Sequence, residues 1–182
     1  MFTRPLSGKY AWYFFSIIGP WILMIIFLLT LPSCHQEDLN EYKIPSDEFV
    51  RSVVKEHYNQ IAIAKDIAEY AEPELVPLAN KRINVSNSHI NEVTTLAGNP
   101  GLASDLIRTE TDIDNLLKAR LLDKDKRRLA FINLLIDSDE RIIGLHVRAV
   151  SPMGVADESF RNWAERKLPQ LRDNLKESQE LR

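Results

Sequence analysis

From Ser46 to the end of the chain, apolar residues recur at intervals of three and four and nowhere alternate with polar ones over a useful length. A spacing near 3.6 lines apolar side chains along one face of an α-helix, whereas a half-buried strand needs a period of two. That feature confines the segment to an all-α fold. Phe49, Val53, Ile61, Ala64 and Ala68 mark a first helix, with Ser46 or Asp47 as its expected cap. Glu72-Pro73 breaks it, and Pro73 suits the first position of the next helix. Leu75, Ala79, Ile83, Ile90, Val93 and Ala97 lie on that second helix, which stops at Gly98-Asn99-Pro100-Gly101. A shorter third helix, capped by Ser104, carries Ile107, Ile113, Leu116 and Leu117. Asp123-Lys124-Asp125-Lys126 leads into a fourth with Ile132, Leu135, Ile136, Ile143 and Val150, where Gly144 is expected to permit a close helix contact. Ser151-Pro152-Met153-Gly154 turns the chain once more. The last helix, from about Asp157, carries Phe160, Ala164, Leu168, Leu171 and Leu175, with Pro169 expected to kink it. Four helices of about 25 residues, each about 37 Å long, predict an antiparallel four-helix bundle with one additional short helix.

The first 34 residues are of another kind. Arg4 and Lys9 are their only charges, and eight of the chain's 15 aromatic residues lie there. A basic start followed by a long apolar run reads as a secretory signal. The run from Tyr10 to Thr30 also has the length, about 20 residues, that spans a bilayer as a helix, although Gly19-Pro20 interrupts it. Leu31-Pro32-Ser33-Cys34 resembles a lipobox, the recognition site of lipoprotein signal peptidase, with Pro32 departing from the usual small or apolar residue. Residues 1–34 are therefore either a lipoprotein signal peptide with lipid on Cys34, or an uncleaved anchor helix ending in an incidental cysteine. Both place the rest of the chain beyond the cytoplasmic face, with Arg4 and Lys9 inside. Residues 35–45, opening on His35-Gln36-Glu37-Asp38, form a polar tether, and residues 46–182 the helical domain. The expected location is the cell envelope, as an outer-membrane lipoprotein facing the periplasm or the surface. Cys34 is the only cysteine, so no intramolecular disulfide forms.

Of 23 Lys and Arg, two fall in the first 34 residues, leaving 21 against 26 Asp and Glu, a net charge near −5. A mildly acidic chain without a basic patch speaks against nucleic acid as a partner. There is no His-Glu-x-x-His, no cysteine pair and no other zinc spacing. Gly98-Asn99-Pro100-Gly101 is a turn and not a phosphate loop, because no Gly-Lys-Ser or Gly-Lys-Thr follows. No serine nucleophile elbow is present either. These residues nominate no catalytic group and no cofactor. The expected function is non-enzymatic, a structural or binding role toward an envelope protein or polymer, with the membrane engaged through the N-terminal lipid or anchor.

Ser46-Asp47-Glu48-Phe49-Val50 opens the domain and Leu168-Pro169-Gln170-Leu171 lies in its last helix. With the segment from Leu75 to Ala97, these resemble the exported bacterial "predicted outer membrane protein" family (domain of unknown function 4142), over roughly residues 46 to 181. The resemblance implies a ferritin-like helical bundle. The family pattern carries a glutamate in the first helix and histidines in three later ones. On this chain the glutamate position falls on Gln60, and an Asp-His pair on Val85 and Ser86. The two later histidines fall on Asp139 and Asn174. Every acid or imidazole of that pattern is replaced. The alternative function the resemblance implies is a ferritin-like metal-binding protein, possibly redox-active. Di-iron bundles draw several Glu and Glu-x-x-His ligands from facing helices, whereas Gln60, Ser86 and Asn174 bring no negative charge.

Helical geometry singles out the same positions. Gln60 lies about 20° from Phe49, Ser86 about 20° from Leu75 and Val93, Asp139 about 40° from Leu135, and Asn174 about 60° from Leu171. All four are mid-helix, so an antiparallel bundle can bring them to one level as a polar seam, serving either as a structural layer or as a residual ligand site. A buried carboxylate needs a partner. Arg82, one turn from Ser86 on the edge of the same face, is the candidate for Asp139. His57 and His146 are expected at the core edge, His89 on a flank and His35 in the tether.

Overall fold

The computed structural model describes residues 43–98 and 109–182, all within one compact unit, Leu39–Arg182. The signal or anchor segment with Cys34, the tether as far as position 42, and the expected Ser104 cap lie outside the described residues. The described chain is all-α. Helix α1 is Ser46–Tyr70, a 3-10 turn follows at Pro73–Leu75, and then come α2 (Val76–Leu96), α3 (Glu110–Arg120), α4 (Lys124–Val150) and α5 (Glu158–Glu180). No strand occurs among the described residues. One isolated bridge joins Ile44 to Val155, the Ile44 N–H donating to the Gly154 carbonyl at 3.1 Å.

Helix ends follow local chemistry, in places other than expected. Neither Ser46 nor Asp47 caps α1. Pro45 holds that position in extended backbone, and its carbonyl accepts from Phe49 N–H at 3.1 Å. Asp47 and Glu48 instead occupy the first turn, where carboxylates favour the positive end of the helix dipole. Pro73 opens the 3-10 turn and not α2, which begins at Val76. Gly98 follows α2 at φ +64°, the left-handed conformation that ends helices with little strain only at glycine. Thr109 accepts the Asp112 N–H at 3.1 Å to cap α3, and Asp157 accepts the Ser159 N–H at 2.7 Å to cap α5.

The buried apolar residues form two clusters, and their order along each helix gives its direction. Helix α1 begins with Phe49, Val50 and Val53 in the first cluster and ends with Ile63, Ala64 and Ile67 in the second. Helix α2 runs back, from Leu78 and Ala79 to Ile90 and Val93. Helix α4 goes from Phe131, Ile132 and Leu135 to Ala149, and α5 returns from Phe160, Trp163 and Ala164 to Leu175. Thus α1 and α5 run one way, α2 and α4 the other. The principal packing is α1 on α2, α4 on α5 and α1 on α4. Between α2 and α4 in the sequence, α3 runs beside α1 in the same direction, from Ile113 near Tyr58 to Arg120 on Asp66. It buries Leu116 and Ala119 in the second cluster. It is clasped to α1 by Arg120, which donates twice to Asp66, at 2.7 Å each, and lies 5.2 Å over the Tyr70 ring.

Gly144 makes no close helix contact. It is exposed, and a Cβ there would meet nothing within 4 Å. The close approach falls at Gly154, where a Cβ would sit 2.1 Å from the Ala149 carbonyl oxygen. Among the described residues, no helix is long and apolar enough to cross a membrane.

Candidate functional site

Where the helices pass from one apolar cluster to the other, their inward side chains are polar. Gln60 on α1, Arg82 and Ser86 on α2, Asp139 on α4 and Asn174 on α5 are each no more than 1% exposed. Asp139 is the centre of this layer. One of its oxygens accepts from Gln60 Nε2 at 2.6 Å, and the other from Ser178 Oγ at 2.9 Å while facing Arg82 Nη2 at 3.5 Å. Arg82 also donates to the backbone carbonyl of Asn174 and, through Nη1, to Glu177 at 3.1 Å. Glu177 is partly exposed and is held from outside by Lys81 at 2.8 Å. Arg82 is thus a sealed cation between two carboxylates, which offsets the penalty of burying it. Asn174 contributes only its backbone carbonyl; its side-chain amide bonds to no protein group.

An ionised carboxylate only accepts, and this fixes the direction of every bond behind it. With its nitrogen on Asp139, Gln60 turns its oxygen to Ser86, whose hydroxyl donates at 2.7 Å. The Ser86 oxygen is then free to accept from His57 Nδ1 at 3.2 Å. His57 consequently carries its proton on Nδ1, and its bare Nε2 accepts from His89 Nδ1 at 3.3 Å. His89 Nε2 lies 3.1 Å from the Gln170 side-chain oxygen, at the exposed rim. A neutral His89 bonds there only with the Gln170 amide turned over, nitrogen for oxygen; a protonated His89 donates to the oxygen as it stands.

His57 and His146, expected at the core edge, and His89, expected on a flank, are all sealed, with at most 1% exposure. The His57 and His89 rings meet edge to face at 5.0 Å. His146 donates from Nδ1 to the Ile142 carbonyl at 2.8 Å and lies against Trp163, leaving Nε2 without a protein partner. Burial disfavours the charged imidazole, and positive neighbours add to the effect. His57 is held well below the ordinary value by burial, then by His89 and His146. His146 is lowered to about 4 by burial, against its bond to Ile142. His89 is lowered by burial, with the Gln170 bond opposing. Burial pushes the Asp139 carboxyl above its ordinary range, while Arg82, Ser178 and Gln60 pull against it. For Glu177, burial would raise the carboxyl, but Lys81 and Arg82 hold it below the usual value.

These geometries limit the chemistry. A serine beside a histidine is a hydrolase arrangement only if the histidine takes the hydroxyl proton. Here that proton is committed to Gln60, His57 donates toward Ser86, and both residues are wholly buried. Among the described residues, no three or more His, Cys, Asp or Glu side chains are grouped to hold a metal ion. The sequence alone does not single out Ser178, Glu177 or the meeting of His57 with His89. Ser178 stands four residues after Asn174, and His89 three after Ser86, so the helical neighbours of each seam position were the available signal.

Comparison with known proteins gives no matching family model, no matching curated protein and no matching solved structure.

Proposed function

We propose that this chain is a membrane-anchored envelope lipoprotein whose helical domain has a structural or binding role and no chemistry of its own. The domain is a ferritin-like antiparallel four-helix bundle with one long crossover, in keeping with the resemblance to the "predicted outer membrane protein" family. One observation carries this reading: the layer where that family's pattern has acids and imidazoles is occupied here by a sealed Arg82–Asp139 pair whose donors come from the protein itself. Buried ion pairs add little net stability, yet they penalise every arrangement that separates them, and fixing register is their best-attested use. Asp139 meets Gln60, Arg82 and Ser178 only when α1, α2, α4 and α5 hold one relative register.

Anchoring is tested at Cys34. In cells fed a labelled fatty acid, the wild-type chain should take up label, and Cys34→Ser should lose it and accumulate as full-length precursor. The variant should remain with the membrane through its uncut apolar segment. Equal labelling of both chains would refute lipidation.

A ferritin-like metal-binding protein is the second reading. What favours it is that the buried imidazoles are held neutral, the form that ligates metals, and that His146 Nε2 is unpartnered. Calorimetric titration of the chain with ferrous, manganous and zinc ions decides: tight stoichiometric binding selects this reading over the first.

A further inference from the structure

Helix α3 is apolar on two faces, and only one is used. Leu116 and Ala119 are buried in the second cluster, while Ile113, Leu117 and Leu121 stand 38%, 47% and 87% exposed. Four residues apart, these three form a stripe along α3 and onto the residue that follows it. Ile113 and Leu117 also line a groove of about 790 Å³ between α3 and α1, where Lys65, Glu69 and Arg120 stand beside Tyr58 and Ile61. Exposed apolar side chains that run together along a helix mark interaction sites.

The charges on α3 say what fits there. Asp112 and Arg120 are engaged with Arg141 and Asp66. Glu110 and Asp114 toward the start, and Lys118 toward the end, are exposed and form no ion pair among the described residues. The helix therefore has an acidic free end and a basic free end on either side of Leu117. A parallel copy would set like charges together. An antiparallel copy, related by a two-fold axis at Leu117, sets Leu117 against the partner's Leu117 and Asp114 level with the partner's Arg120, about 3 Å along the helix from its Lys118. It also brings Leu121, the most exposed large apolar side chain among the described residues, against the partner's Ile113.

We propose that this stripe is a homodimer interface, two copies of the chain pairing through antiparallel α3 helices. Such an isologous contact is closed, since each copy gives and receives the same residues. The interface is small and dissociates on dilution, because standard interfaces need about 800 Å² from each partner.

The test uses the full chain in its membrane. Under mild oxidation, Leu117→Cys should give a disulfide-linked dimer well above the wild-type background. Glu165→Cys, an exposed control on α5, should not. In detergent, sedimentation should show Asp114→Lys and Lys118→Asp each weakening the dimer roughly tenfold, from two lost attractions and two new repulsions. The double exchange should restore it. Leu121→Glu should abolish it with unchanged circular dichroism. Cross-linking of the Leu117→Cys chain no stronger than that of the Glu165→Cys control, or a double exchange as weak as either single change, overturns the proposal. So does capture of a different protein at position 117 in place of a second copy.

Discussion

Replacing Asp139 by alanine removes the one acceptor shared by Gln60, Ser178 and Arg82, and the neighbours set the size of the loss. Gln60 is left with one buried end of its amide unpaired, whichever way it turns. Ser178 is not stranded, because its hydroxyl turns to the Asn174 carbonyl, already 3.2 Å away. Arg82 keeps Glu177 at 3.1 Å. Breaking a buried ion pair typically costs about 3–5 kcal/mol, and these two fallbacks place Asp139→Ala at the lower end, about 3 kcal/mol. For a unit of this size each kcal/mol is worth roughly 2–4 °C, so Tm should fall by about 10 °C. Arg82→Met should be worse at neutral pH, about 4 kcal/mol, because Asp139 would then be a buried charge facing only neutral donors. Its deficit should shrink in acid as Asp139 takes up a proton. Asp139→Leu combined with Arg82→Met removes both charges and should recover to within about 2 kcal/mol of wild type. Urea unfolding followed by circular dichroism measures all three. If Asp139→Ala costs less than about 1 kcal/mol, or the double variant is no more stable than Arg82→Met alone, the layer does not hold the helices as described.

The buried imidazoles make stability depend on pH with a definite sign. His57, His89 and His146 all have folded values below the ordinary 6.5. The unfolded chain therefore binds more protons, and stability is complete above pH 6.5 and falls as pH drops toward 4. The His146 shift alone amounts to about 3 kcal/mol. His146→Phe should flatten the pH dependence of urea midpoints between these limits; an unchanged slope would count against it. Asp139, raised on folding, contributes in the opposite sense and gains on acidification. Gly154→Ala should destabilise by about 2 kcal/mol, since a Cβ there meets the Ala149 carbonyl. Gly144→Ala, on an open helical surface, should stabilise by about 0.5–1 kcal/mol, and thermal melts of the pair must differ in sign.

The helices were legible because their signals are local: a three-and-four spacing, Gly98 after α2, Asp157 before α5. The α1 cap was misplaced because capping goes to the residue in extended backbone, and Pro45, at ψ 140°, takes that role ahead of Ser46. The seam positions were legible because a polar residue at an apolar angle shows in the sequence itself. Their partners were not, since which side chains meet across helices depends on rotations that no single helix encodes. His89 shows the difference. Measured from Leu75 and Val93 it falls at the edge of the α2 apolar arc. The buried face is wider, taking in Leu78, Ala79, Arg82, Ser86, His89 and Ile90, because α2 packs chiefly on α1 and also touches α5. Gly144 misled for the opposite reason: a small residue in a helix suggests close approach, but this one faces outward.

The bond directions in the layer lead to one last prediction, at His57. Because Asp139 can only accept, Gln60, Ser86, His57 and His89 are oriented in sequence, and the imidazole tautomers report on a carboxylate several bonds away. His57 should be the Nδ1–H form in the wild-type chain at neutral pH, visible in the nitrogen chemical shifts of its ring. Asp139→Asn can keep the amide oxygen toward Gln60, so the order of bonds survives while the charge is lost. Its nitrogen, however, would face Arg82, donor against donor, while the Ser178 hydroxyl turns to the Asn174 carbonyl, at a cost of about 2 kcal/mol. The His57 tautomer should therefore persist in Asp139→Asn although stability falls. In Asp139→Ala, Gln60 is free to turn over and present its N–H to Ser86. The Ser86 hydroxyl then points to His57, which must accept at Nδ1 and carry its proton on Nε2. A switch of tautomer in alanine but not in asparagine separates bond direction from charge, two effects that stability alone would confound. An Nε2–H His57 in the wild-type chain would instead mean that Ser86 donates to the imidazole and that Asp139 does not order the layer.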